Sequence, residues 1–286
     1  MTALLTPTPV AAAPARPQPE HRSGLRMLWS DTLVFARRHI AHIRQIPEKL
    51  LDVTVQPLMF TVLFAFVFGG AIDVGGSYRE YLIGGILVQT LTFGMMGPAS
   101  SIATDLQEGV IDRFRSLPAS RGSYLFGHVL AELAGMVLAI VILLGAGWLV
   151  GWRVHTDVLQ VSMAILLMVC FAIAMIWVGT WLGMIVRSPD AVMGIGFTVV
   201  FPLTFMSSAF VPIASMPTWL QHIAAWNPIS AYAAAVRTLF GNPLAPVPID
   251  AWPLVHPVAA SWIYTVLILA AAIPLALRRY RRRTTD

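Results

Sequence analysis

The sequence predicts an all-α integral membrane protein with about six transmembrane helices, an N-terminal amphipathic interfacial helix and an extracellular re-entrant helix pair between spans five and six. Three observations predict it. Of the 286 residues, 57% are hydrophobic and only 12% charged, with mean hydropathy +0.73. A water-soluble domain carries about 25% charged residues, so lipid must replace the missing polar surface. Six apolar segments of roughly 20 residues or more could cross a bilayer core about 30 Å thick. The basic residues gather beside those segments rather than in one patch, as expected at a cytoplasmic membrane face rather than on a nucleic-acid site, despite the net charge of +5.

Residues 1–21 are rich in Ala, Pro and Thr and lack the apolar core of a secretion signal, so they read as a disordered tail. Arg37-Arg38 is followed by HIAHIRQIPEKL, not by the apolar run a twin-arginine signal needs. Over 25–46, Leu25, Leu28, Trp29, Leu33, Ala36, Ile40 and Ile43 share one helical face, while Arg26, Arg37 and Arg44 point elsewhere. Such a basic amphipathic helix lies flat on the cytoplasmic lipid surface. The spans follow at 53–72, 81–104, 124–151, 158–186, 191–211 and 254–277, within one transmembrane domain covering 22–280, and residues 281–286 form a basic tail. Gly84, Gly85, Gly94, Gly97 and Pro98 predict an irregular second span, tolerable in lipid only where other helices cover it or it lines a cavity.

Fifteen of the nineteen Lys and Arg residues fall on the face shared by the N-terminus, the loops near 105–121 and 187–190, and the C-terminus. Arg79, Arg153 and Arg237 alone fall on the other face, with Arg16 in the distal tail left aside. This asymmetry places both termini in the cytoplasm of a multi-pass plasma-membrane protein, which requires an even number of spans.

Two connecting segments carry functional signals. Asp105 to Arg121 reads as a short charged helix ended near Pro118, with Phe114 and Leu117 as apolar knobs among Glu108, Asp112, Arg113 and Arg115. An aromatic anchor ringed by mixed charge suits a docking surface. The stretch from Val211 to Gly241 is apolar but interrupted by Pro212, Pro217 and Pro228, so it cannot be one spanning helix. Two short helices within 215–240, dipping into the outer leaflet, reconcile the prolines with the apolar content. Ser215 or Thr218 is a candidate cap for the first, and Asn227-Pro228 marks the start of the second. Trp219, Trp226 and Tyr232 are placed at the lipid interface.

The chain carries no catalytic constellation. Lys49 is the only lysine and follows Glu48, so no phosphate-binding loop of the G-x-x-x-x-G-K type exists and the chain cannot hydrolyse ATP by that route. His39 and His42 lack a third metal ligand at useful spacing, and no nucleophile elbow occurs. Glu132 and His128, four apart in the third span, read as a local polar pair or as a proton relay in a gradient-driven transporter. Cys170 sits in an apolar run as packing, and one cysteine allows no intrachain disulfide.

The loop Glu108-Gly109 through Arg113 to Leu117-Pro118 and Arg121 resembles that of ABC type-2 export permeases. So does the second segment, Met216-Pro217-x-Trp219-Leu220 with Asn227-Pro228, Arg237 and Gly241; together they resemble most the daunorubicin/doxorubicin resistance permeases of actinobacteria. The resemblance covers nearly all of residues 25–280. It implies a dimer of permease chains (two identical ones in the simplest case) on two cytoplasmic ATPase subunits, which hold the ATP and Mg while this chain binds no cofactor or metal. It implies that Glu108, Asp112, Arg113, Phe114, Arg115, Leu117 and Arg121 form an ATPase-coupling helix, with Arg37 and Arg38 in a second contact. It makes Pro217, Trp219, Asn227, Pro228 and Arg237 part of an outer gate.

The expected function is export of amphipathic or lipophilic compounds, such as drugs, past that gate. Gln89, Phe93, Met96, Phe201, Phe205 and Met206 are candidate cavity residues, chosen by residue type and span position. Export of a glycolipid or polysaccharide precursor is the alternative within the family, and a gradient-driven secondary transporter the alternative outside it.

Overall fold

The computed structural model describes residues 47–109, 123–186 and 188–283, and every described element is helical or a turn. The N-terminal tail, the interfacial helix at 25–46 with Arg37 and Arg38, and Asp112, Arg113, Phe114, Arg115, Leu117 and Arg121 lie outside the described residues. The helices are α1 (Pro47–Val62, continued by a π-helical turn at Leu63–Phe68), α2 (Tyr78–Phe93), α3 (Met96–Gln107), α4 (Ser123–Val150) and α5 (Val158–Ile185). Next come α6 (Pro189–Ile195), a π-helical turn at Gly196–Val200, α7 (Phe201–Phe205), α8 (Thr218–Trp226), α9 (Pro228–Phe240), α10 (Trp252–Val255) and α11 (Pro257–Arg283).

Four stretches are long and apolar enough to cross a bilayer: Tyr78–Gln107, Leu125–Val150, Val158–Ile185 and Pro257–Tyr280. The first and fifth predicted segments appear as shorter apolar helices, Val55–Phe68 and Pro189–Phe205. The four long stretches are not equivalent: 72% of the most apolar window in Tyr78–Gln107 is buried against protein, but only 22% in Pro257–Tyr280. The former stretch is interior, and the latter leaves most of its apolar window uncovered by the rest of the chain.

Helix α5 is the hub, packing on α2, α3, α4, α9 and α11. Its contact with α3 is backbone to backbone. A Cβ at Gly179 would stand 2.1 Å from the Met95 carbonyl oxygen, and one at Gly183 would stand 2.4 Å from that of Ala99. Small residues four apart allow this approach, which replaces the hydrophobic drive that lipid cannot supply between helices. One end of the bundle is closed by Ile102, Leu125 and Met184, with Leu106, Leu277 and Tyr280 packed on them. Asp157 caps α5 by accepting from the Gln160 N–H at 3.0 Å, and Ser188 caps α6 ahead of Pro189.

Several expectations change. Helix α2 runs unbroken through Gly84 and Gly85, and the interruption falls at Gly94–Met95. Helix α3 continues to Gln107, so residues 105–107 are its last turn; Glu108 is its C-terminal boundary and Gly109, at φ 65°, turns the chain. Neither Ser215 nor Thr218 caps α8: Pro217 stands at its boundary without a side-chain bond, and the Ser215 hydroxyl donates to the Pro212 carbonyl at 2.8 Å.

Candidate functional site

Helix α7 ends at Phe205, and the chain continues through turns to Phe210. This unwound stretch and the last turn before it expose carbonyl oxygens with no helical partner, and leaving each one buried and unpaired would cost about 1–3 kcal/mol. Side chains from α9 and α2 take up that role. The Asn227 amide donates to the carbonyls of Leu203 (2.7 Å) and Met206 (3.1 Å), while its Oδ1 accepts from the Ile229 N–H at 2.9 Å. One residue thus caps α9 and binds the end of α7.

Ten residues on, Arg237 does the same for the next turn. Its Nε donates to the Tyr81 carbonyl at 2.7 Å, and Nη2 donates to those of Ser208 and Ala209, each at 2.9 Å. The guanidinium lies 3.5 Å from the Tyr81 ring centroid, where the ring face favours a cation. Tyr81 and Tyr78 donate their hydroxyls to Ser208 (2.7 Å) and Phe210 (3.0 Å), and the Ser230 hydroxyl accepts from the Ser208 N–H at 2.9 Å. Arg237 is 1% exposed, enclosed by these partners.

Two glycines make room for this arrangement. A Cβ at Gly85 would lie 1.7 Å from the Ala209 carbonyl oxygen, and one at Gly84 would lie 2.9 Å from Cγ of Arg237. The pair that reads as helix-weakening in sequence is a close-approach surface for the unwound segment and the Arg237 stem.

A strap between α4 and α5 holds the far end of α9. The Trp152 indole donates to Asn242 Oδ1 at 2.7 Å, and the Asn242 amide donates to the Arg153 carbonyl at 2.8 Å. Thr156 donates to the Leu239 carbonyl at 2.7 Å, and the His155 backbone to that of Phe240 at 2.9 Å. The His155 ring meets Glu80 at 2.8 Å. Gly241, at φ 69°, ends α9 in the left-handed conformation that lets the Asn242 N–H return to the Arg237 carbonyl.

Beside the unwound segment runs a column of phenylalanines. Phe201 stacks on Phe205 (4.3 Å between centroids), Phe205 on Phe210 (5.0 Å) and Phe210 on Phe64 (4.7 Å), which stacks in turn on Phe60 and Phe68. It joins the two shorter apolar helices, and each of these contains a π-helical turn. In the second, the Phe201 N–H bonds to the Gly196 carbonyl just ahead of Pro202, which has no N–H to offer.

The expected residues fall into separate places. Asn227 and Arg237 are brought together on the unwound segment, with Pro228 at the first turn of α9. Pro217, Trp219 and Trp226 stand on the exposed side of α8, but Tyr232 is 1% exposed. It does not reach a lipid interface: its ring stacks on Phe171 at 3.9 Å and its hydroxyl meets Thr265 at 2.6 Å. Helix α9 is buried along nearly its whole length because α2, α5 and α11 pack around it.

Among the proposed cavity residues, Phe201 and Phe205 are joined in the column and Met206 follows them at the end of α7. Met96 packs at Gly196, Phe93 is half-buried and Gln89 is buried within α2. Glu108 is exposed beyond α3. The Glu132 carboxylate lies against Gly97, where a Cβ would be 3.4 Å away, and His128 is buried on the same helix. Tyr81, Ser208, Ser230, Asn242 and the α1 phenylalanines were not singled out. The i, i+4 spacing of Phe60, Phe64 and Phe68 was the available signal for the column.

Residues 31–240 match the ABC-2 type transporter family. The chain is 31% identical over 261 residues to the daunorubicin resistance ABC transporter permease protein DrrB1 of Streptomyces coeruleorubidus, covering 89% of this chain and 87% of that protein. It is 25% identical over 241 residues to the doxorubicin resistance ABC transporter permease protein DrrB of Mycobacterium tuberculosis, covering 81% and 83% of the two chains. It is also 25% identical to the putative transport permease ycf38 of Porphyra purpurea, over 68% of this chain and 69% of that one.

Proposed function

Since this chain belongs to the ABC-2 type transporter family and is related to drug-resistance permeases, we propose that it is the permease subunit of an ATP-driven exporter of amphipathic or lipophilic compounds. The observation that carries this reading is the 31% identity to the daunorubicin resistance permease over 89% of the chain. In this reading α1 with its π-helical turn, and α6 with α7, complete six spans, and both termini lie in the cytoplasm of a plasma-membrane protein. The end closed by Ile102, Leu125 and Met184 faces the cytoplasm, and the end carrying Arg237 faces out.

A separate ATPase, two copies to a permease dimer, engages Glu108 and the segment through Arg121, together with the helix around Arg37 and Arg38. Force enters there because this chain has no triphosphate-binding loop. The α8–α9 pair, anchored through Asn227 and Arg237, forms the outer gate, with Pro217 and Trp219 at its exposed edge. Cargo with planar apolar rings meets the phenylalanine column at Phe201 and Phe205, where offset stacking is worth about 0.5–1.5 kcal/mol per ring pair beyond area burial.

Co-purification with the cognate ATP-binding-cassette ATPase tests the reading. The parent chain should bind it and change its ATP hydrolysis, and the Phe114→Ala/Arg115→Ala variant should fold yet lose that effect. An ATPase that neither binds the parent chain nor responds to it would reject the proposal.

A further inference from the structure

Arg237 has a donor edge that its carbonyl partners do not use. Its Nε and Nη2 are occupied, and among the described residues no acceptor meets Nη1 and no carboxylate pairs with the guanidinium. Carbonyl dipoles and the Tyr81 ring stabilise the cation but leave its net charge in place, in surroundings where an uncompensated charge is costly. The same side chain lines a cleft of about 50 Å³ at this end of the molecule. Ser208 and Tyr81 stand beside it, and Ile213, Ala234, Leu244, Ala245, Val247 and Leu254 supply apolar walls.

Size and charge together point to a class of ligand. The cleft beside Arg237 admits a few water-sized spheres, enough for a tetrahedral oxyanion. The charge calls for an anion, and guanidinium geometry suits phosphate oxygens. The apolar walls at 244–247 suit an oxyanion attached to a greasy carrier.

We propose that this cleft is a binding site for a phosphate-class oxyanion, with Nη1 of Arg237 as its charged donor and residues 244–247 covering the group that carries the phosphate. A lipid headgroup and free phosphate share this chemistry. The site does not depend on transport: it stands or falls by binding to the isolated chain, whatever that chain moves.

Thermal unfolding of the purified full-length chain in a neutral maltoside detergent, at fixed ionic strength, provides the test. It is titrated separately with dihexanoyl phosphatidylglycerol, dihexanoyl phosphatidylcholine and inorganic phosphate. Phosphatidylglycerol should raise the midpoint saturably by about 3–5 °C, and phosphatidylcholine by less. An equal response to inorganic phosphate identifies a free oxyanion as sufficient, and a response to the lipid alone identifies a headgroup site.

Val247 is 45% exposed, so Val247→Trp, which fills the cleft, and Val247→Asp, which supplies an internal carboxylate, should both fold with near-parental midpoints. Both should abolish the shift. No shift of the parent with either anion, or equal shifts in the parent and both variants, overturns the assignment.

Discussion

The two ends of the bundle are held by different physics. At one, Ile102, Leu125 and Met184 meet with Leu106, Leu277 and Tyr280 around them, a contact built largely from side-chain shape. At the other, Asn227, Arg237, Tyr78, Tyr81 and Ser230 each bond a specific backbone group of the chain between Leu203 and Phe210. Apolar contacts accept other side chains of similar volume, whereas a carbonyl in a low-dielectric interior accepts only a donor placed within bonding distance. The first end can therefore repack as helices shift, and the second is a clasp whose parts cannot be exchanged singly. An exporter driven from the cytoplasm would use both properties, a yielding end where force arrives and a fixed frame around the exit.

Gly85→Val attacks the difference most severely. Its side chain would begin 1.7 Å from the Ala209 oxygen, and in a backbone contact nothing flexible can yield. The expected loss exceeds about 4 kcal/mol, seen as failure to elute as a monodisperse species on size exclusion. Arg237→Met comes next: it leaves the bonded carbonyls of Tyr81, Ser208 and Ala209 without their donor and should cost about 3–5 kcal/mol in denaturant titration.

Asn227→Ala removes the α9 cap and two carbonyl bonds together, with an expected cost of about 1–3 kcal/mol by the same titration. Tyr232→Phe keeps the stack on Phe171 and loses only the hydroxyl contact with Thr265, so about 1 kcal/mol is expected. Met184→Leu, at the opposite end, sets the baseline at under about 1.5 kcal/mol because volume is conserved. A Met184→Leu cost above about 3 kcal/mol, beyond the upper bound for Asn227→Ala, would erase the contrast between the ends.

The same contrast explains what could be read from the sequence. Long apolar runs, prolines that stop helices and a skewed distribution of arginines are local or compositional signals, and they locate the hydrophobic segments and the α8–α9 pair. Asn227-Pro228 was legible because a cap and its helix are neighbours in sequence. Arg237 was not legible as a clasp residue. Its acceptors are backbone oxygens on residues 156, 29 and 28 positions away, and a carbonyl leaves no mark on side-chain identity. Tyr232 misled for a related reason: an aromatic beside a membrane reads as an interfacial anchor unless the helix around it is known to be covered. Gly84 and Gly85 signalled that something unusual happens in the second span, but only the fold reveals what approaches them.

Under the proposed function, this chain moves cargo only when a separate ATPase works on it. Proteoliposomes containing the chain with its ATPase, loaded to report movement of an amphipathic, lipophilic fluorescent probe, test it directly. Transport should require both proteins and hydrolysable ATP, and the chain alone should give only the leak of protein-free vesicles. Probe movement by the chain alone, without nucleotide, would contradict the account.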